Sequence, residues 1–87
     1  MEFDLLSIIT TIFGVAMSFA YFPQFIKILK RKSVKDISLL PYLIFFPGLV
    51  VWLIYGINKN DFPIIISNIF GLVGCALVLI AYFIYKE

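Results

Sequence analysis

The chain has 87 residues, 63% of them hydrophobic and 14% charged, with a formal net charge of +2 and no histidine. A soluble domain of this size leaves much of its surface in water and cannot conceal so much apolar side chain, so the composition excludes a soluble protein and places the chain in a membrane. One cysteine, no histidine and no carboxylate inside the apolar stretches remove the usual ligands of zinc or haem and the usual nucleophile and base arrangements, so neither enzyme activity nor a metal or cofactor is expected.

Charged residues divide the chain into three uncharged stretches, Leu5 to Ile26, Ile37 to Asn58 and Phe62 to Tyr85. Each is about 20 residues or slightly more, enough to cross a hydrocarbon core of about 30 Å. The fold class expected is an all-α membrane protein, a single domain over 1–87 with transmembrane helices over about 5–29, 38–58 and 62–85. Ser18 and Ala20 at the end of the first apolar run imitate a cleavage site, but Glu2 and Asp4 lead that run with acidic charge where a signal peptide carries basic charge. The first span is therefore read as structure.

That span ends in "YFPQFIKILKRK". Pro23 removes a backbone hydrogen bond and presses on the preceding turn, and Gln24 has to bury an amide near the end of an apolar run. Two readings stand here, a hinge and a static kink. Beyond it, Lys27, Lys30, Arg31, Lys32 and Lys35 crowd the first connection, whereas the second carries Lys59 balanced by Asp61. The positive-inside bias puts the first connection in the cytoplasm, the N-terminus outside and the C-terminus inside. The cluster reads first as this topology signal, with an anionic lipid patch as its alternative and no nucleic-acid partner expected.

In the second span Asp36 or Ser38 is placed to cap, Pro41 falls in the first turn, and Pro47 with Gly48 interrupts the helix and frees the carbonyl of Leu43. Asp61 is placed to cap the third span, with Pro63 close behind where a missing N–H is tolerated. The connection "NKND" is so short that spans two and three form a tight antiparallel hairpin. Gly14 and Ser18 on the first helix, and Ser67, Gly71 and Cys75 with Gly74 on the third, make small-residue stripes that let helices approach closely in lipid.

Trp52 lies seven residues before Lys59 and Asn68 seven after Asp61, so both sit roughly 10 Å inside the outer end of the hairpin. An indole face beside a carboxamide suits a neutral polyhydroxylated ligand, because the ring packs on C–H groups while the amide bonds hydroxyls. The same two residues also read as an interfacial belt residue and an interhelical hydrogen bond. Three helices cannot surround a sugar-sized path, so a homodimer about an axis along the membrane normal is expected, with both copies lining one cavity.

"YFPQ" resembles the signature of the PQ-loop proteins, and "FFPGLVVWLIYGINKNDFPIIISNIFGL" is similar to the second and third helices of the SemiSWEETs, small prokaryotic sugar transporters. The resemblance covers nearly the whole chain and implies a parallel homodimer that moves sugars by alternating access. It implies Trp52 and Asn68 as the sugar-contacting pair, Tyr55, Lys59 and Asp61 as the extracellular gate, Leu43 and Phe45 as the intracellular constriction, and Pro23 with Gln24 as the hinge. Lys59 stands where relatives often carry arginine, and lysine lacks the planar fork of a rigid ion pair. With every carboxylate outside the spans, the function expected is a facilitative sugar uniporter in the cell membrane. The alternatives are a PQ-loop carrier of an amino acid or other small metabolite and a non-transporting membrane subunit.

Overall fold

The structure, a computed structural model, describes residues 4–86. Glu2 and Glu87 lie outside the described residues. Four helices make three spans: α1 (Leu5–Ser18), α2 (Tyr21–Arg31), α3 (Leu39–Asn58) and α4 (Phe62–Tyr85). α1 and α2 together form one apolar span of 27 residues, Leu5–Arg31.

The first span is thus broken, and the break falls at Phe19 and Ala20, one turn before the proline. Pro23 has no N–H and its ring would press on the carbonyl four residues back, that of Phe19. Restarting the helix at Tyr21 puts Pro23 in a first turn, where a missing donor costs nothing. Tighter i to i−3 bonds carry the chain across: the Ala20 N–H donates to the Met17 carbonyl and the Phe22 N–H to that of Phe19, each at 3.1 Å. α3, by contrast, runs without interruption through Pro47, although the proline still leaves the Leu43 carbonyl without its usual donor.

α4 is the centre of the protomer. It packs against α1 and α2 on one side and α3 on the other, so spans that follow 1, 2, 3 in sequence stand 1, 3, 2 in space. The molecule is one helix layer deep, with Cα extents of 47 × 21 × 14 Å. Small residues set these approaches: a Cβ placed on Gly74 would lie 2.7 Å from the Cβ of Tyr21, and one on Gly71 would lie 2.9 Å from a methyl of Leu49. The buried Ser18 hydroxyl reaches two carbonyls, Gly14 on its own helix at 2.9 Å and Ser67 on α4 at 2.8 Å. In lipid that bond fixes the register of α1 against α4.

The core lies toward the basic end, where Ile28, Val78 and Ala81 are buried among Tyr21, Phe25, Val34, Ile37, Tyr42 and Tyr85. Large apolar side chains elsewhere face outward, as suits a lipid surroundings. At the second connection Asn60 takes a left-handed φ of 52°, a conformation asparagine tolerates, and this closes the hairpin. Asp61 caps α4 as expected, accepting the Ile64 N–H at 3.2 Å. At α3 the expected cap is not made: Ser38 holds the N-cap position without a side-chain bond, because Asp36 turns back to pair with Lys27 and Arg31.

Asp4 caps α1, accepting the Ser7 N–H at 2.8 Å. The Ser7 N–H first, and its hydroxyl second, hold this exposed carboxyl below its ordinary value of 3.8. A depressed folded pKa means the cap's contribution is whole above the ordinary value and lost as pH falls through the folded one. Hydrogen-exchange protection of the Ser7 amide is therefore expected to drop on acidification below 3.8, with no such step in Asp4→Asn, which caps without titrating. A step of equal size in both proteins would remove Asp4 as its source.

Candidate functional site

One face of α3 carries Trp52, Tyr55 and Lys59 at helical spacing toward the acidic end. The Trp52 and Tyr55 rings meet edge to face at 5.5 Å and 74°, and the Lys59 ammonium stands 6.0 Å from the Tyr55 ring centre. Trp52 is 56% exposed although it lies within a span, so its indole looks out of the protomer. Asn68 on α4 donates from Nδ2 to the Ile64 carbonyl at 2.7 Å. One of its two Nδ2 hydrogens is thus used within its own helix, and Oδ1 makes no hydrogen bond among the described residues. Trp52 lies six residues inside the end of α3 and Asn68 six inside the start of α4, so each sits about 9 Å deep by helical rise. What the pair offers at that depth is an aromatic face, a hydrogen-bond acceptor and one remaining amide donor.

The tight hairpin keeps Lys59 and Asp61 close in sequence, yet they do not pair within the protomer. Asp61 is engaged by the start of α4 and Lys59 by the Tyr55 ring. Beside them an open cleft of about 430 Å³ is lined by Asp4, Ser7, Thr10, Lys59, Asn60 and Asp61, with Leu6, Phe62, Pro63 and Ile64 as its apolar wall. Asp4, Ser7, Thr10 and Asn60 escaped the sequence reading, because nothing local indicates that the start of the first span meets the second connection.

Toward the basic end three rings close on one another between α2 and α3. Tyr21 stands 6.1 Å from Tyr42 and 6.4 Å from Phe45, and Tyr42 stands 6.3 Å from Phe45. Of the expected constriction residues, Phe45 belongs to this cluster, whereas Leu43 lies about 200° round the helix from it and is half exposed. Tyr42 and Phe45 are three apart and legible as neighbours; the third ring comes from another span and gives no local signal. Next to the cluster a cleft of about 150 Å³ is lined by Gln24, Asp36, Ser38, Tyr42 and Phe45, with Ile37 and Pro41. Gln24 does bury part of its amide: its Oε1 is buried with no partner among the described residues, and a buried acceptor left so costs about 1–3 kcal/mol.

Gly71 ties the break in the first span and the Pro47–Gly48 step of α3 to one depth. A Cβ there would face Ser18 at 3.5 Å, next to the break in the first span, and Leu49 at 2.9 Å, next to Pro47 and Gly48. Around Gly48 itself a Cβ would meet nothing within 4 Å. Two weak points in the backbone therefore lie at one level on either side of α4, with the three-ring cluster joining the segments below them.

Comparison with known proteins gives this arrangement its family. A profile described as sugar efflux transporter for intercellular exchange matches residues 4–87. The sugar transporter SemiSWEET of Bradyrhizobium diazoefficiens is 55% identical over 49 residues, 56% of this chain and 57% of that protein. The crystal structure of a bacterial homologue of SWEET transporters superposes with a TM-score of 0.88 at 32% identity, covering 94% of this chain and 99% of that one. That of SemiSWEET in the inward-open conformation gives 0.77, also at 32% identity, over 93% and 94% of the two chains. This chain, with its three spans, its Pro23–Gln24 step and its Trp52–Asn68 pair, is a membrane protein of the SemiSWEET family.

Proposed function

We propose that the protein is a facilitative sugar transporter working as a parallel homodimer, with its N-terminus outside and its C-terminus in the cytoplasm. The observation that carries this reading is the pairing at one depth of an outward-looking indole, Trp52, with an amide whose acceptor is free, Asn68. A sugar presents C–H faces to the ring and hydroxyl protons to Oδ1, and it needs no charge within the membrane. Three features support a dimer and its direction. A protomer one helix layer deep has no interior for a sugar. Gln24 carries a buried acceptor that its own chain does not satisfy. Lys86 joins Lys35 around one cleft at the basic end, which the positive-inside bias assigns to the cytoplasm.

Alternating access is supported by the two weak points in the backbone. The segments below the level of Gly71, namely α2 and the first half of α3, are clasped by Tyr21, Tyr42 and Phe45 and move together about Phe19–Ala20 and Pro47–Gly48. With that clasp closed, the protomer corresponds to a state shut toward the cytoplasm. Tyr55, Lys59 and Asp61 form the outer gate, with Lys59 meeting the partner's Asp61 across the axis. An exposed pair of this kind contributes about 0 to 1 kcal/mol, enough to bias two states without locking either.

Purified protein in liposomes is expected to take up at least one labelled sugar from a panel of mono- and disaccharides, without a proton or sodium gradient. Uptake of amino acids and of no sugar would reject the reading. Pro23→Ala tests the hinge. Alanine restores a donor to the Phe19 carbonyl and favours a continuous helix, so sugar affinity should persist while counterflow slows about tenfold, as about 1.4 kcal/mol added to one state would do. Wild-type exchange in a folded Pro23→Ala protein would reduce the proline to a static kink.

A further inference from the structure

Residues 27–36 carry Lys27, Lys30, Arg31, Lys32 and Lys35 against the single carboxylate of Asp36. Asp36 engages Lys27 and Arg31, and among the described residues Lys30, Lys32 and Lys35 have no ion pair. Orientation alone requires only that cations stand at this end of the bundle. The structure adds an order to them. A groove of about 500 Å³ is lined by Pro23, Ile26, Lys27, Lys30 and Arg31, positions three and four apart that form one stripe along α2. The stripe lies about 140° or more round the helix from buried Ile28 for Pro23, Ile26 and Lys30, on the side turned away from α4.

Along that stripe the composition changes with depth. Pro23 and Ile26, within the apolar span, make its membrane end, and Lys27, Lys30 and Arg31 make its water end. An apolar trough that opens onto a cationic rim complements a phospholipid, with an acyl chain against Pro23 and Ile26 and the phosphate among the three cations. Zwitterionic lipids bring a cation of their own to the rim, whereas an anionic headgroup meets the uncompensated charge directly.

We infer that this groove binds one anionic phospholipid per protomer on the outer face of α2. The bound lipid lies against Pro23, on the helix that follows the break at Phe19–Ala20. Binding itself does not depend on what the protein transports, so it can be tested whatever the outcome of the sugar assays.

Lys30 lies in the groove and Lys35 outside it, and replacing either with glutamine removes the same single charge. Native mass spectrometry on protein incubated with mixed phosphatidylglycerol and phosphatidylcholine is expected to show a preferred phosphatidylglycerol adduct on wild type and on Lys35→Gln. Lys30→Gln should bind it about fivefold more weakly, the effect of one basic group at an anionic surface, and Lys30→Arg should restore it. Equal weakening by Lys30→Gln and Lys35→Gln would assign the effect to overall charge and overturn the site. So would a wild-type protein that takes up the two lipids alike.

Discussion

Replacing Asn68 with alanine is expected to cut sugar uptake into proteoliposomes by roughly 10- to 100-fold, the effect of leaving one buried hydroxyl without its partner, while helix content and dimer survive. The side chain is partly exposed and bonds only its own helix among the described residues, so its loss removes no hydrogen bond between helices. One Nδ2 hydrogen is committed to the Ile64 carbonyl, so a sugar hydroxyl meets Oδ1 as an acceptor and the second Nδ2 hydrogen as a donor. A panel of deoxy and deoxyfluoro sugars separates the two: fluorine cannot donate, so with the unpartnered Oδ1 as the contact the fluoro and the deoxy compound should fail alike at the position facing Asn68. A fluoro sugar that is carried as well as its parent would show that Asn68 donates. Trp52→Ala should have an effect of the same order through loss of the ring face. In a covalently linked dimer, Asn68→Ala in one copy alone should also impair uptake, and two independently active halves would argue against a shared cavity.

Gly74→Val is the substitution expected to harm the fold most. The first carbon of any side chain at this position comes 2.7 Å from the Cβ of Tyr21, and neither atom is the movable end of a chain. Relief requires α2 to shift away from α4, which loosens Tyr21 from Tyr42 and Phe45 and opens the core around Ile28 and Val78. Overpacking of this kind costs about 1–3 kcal/mol, and lipid supplies no hydrophobic force to press the helices together again. Thermal unfolding in detergent should fall by several degrees, as a few kcal/mol implies for a chain of this size. Gly48→Ala is the matched control, since its Cβ meets nothing within 4 Å, and it should melt like the wild type. A Gly74→Val protein as stable as that control would show that α2 does not lean on α4 as described.

Much of this protein could be read from its residues because a bilayer leaves so few choices. Uncharged runs long enough to cross it have to be helical, since backbone groups find no other partner in hydrocarbon. Asp61 ahead of Pro63 marks the start of α4, and a connection as short as "NKND" admits only a hairpin. Trp52 and Asn68 could be set at one level by counting from that turn, because helical rise is constant. The small stripes were equally legible, and Gly14, Ser18 and Ser67 do meet.

What spacing along one chain could not decide was which span stands beside which. The placement of α4 between the other two follows from the fit of Gly71 and Gly74 against Leu49 and Tyr21, contacts that exist only once all three spans are packed. Sequence placed the disturbance at Pro23 itself, where the missing donor is; the structure moves the break to Phe19 and Ala20, because a proline is harmless in a first turn and harmful in a helix interior. Asp36 looked like a cap and became the partner of Lys27 and Arg31 once the folded connection brought charge within reach. The three-ring cluster and the shared level of the first-span break and the Pro47–Gly48 step belong to the same class. Local sequence dictates what each segment can form, because helix bonds and membrane thickness act over a few neighbouring residues, while side chains that meet across α4 are chosen by shape, and shape is a property of the packed bundle alone.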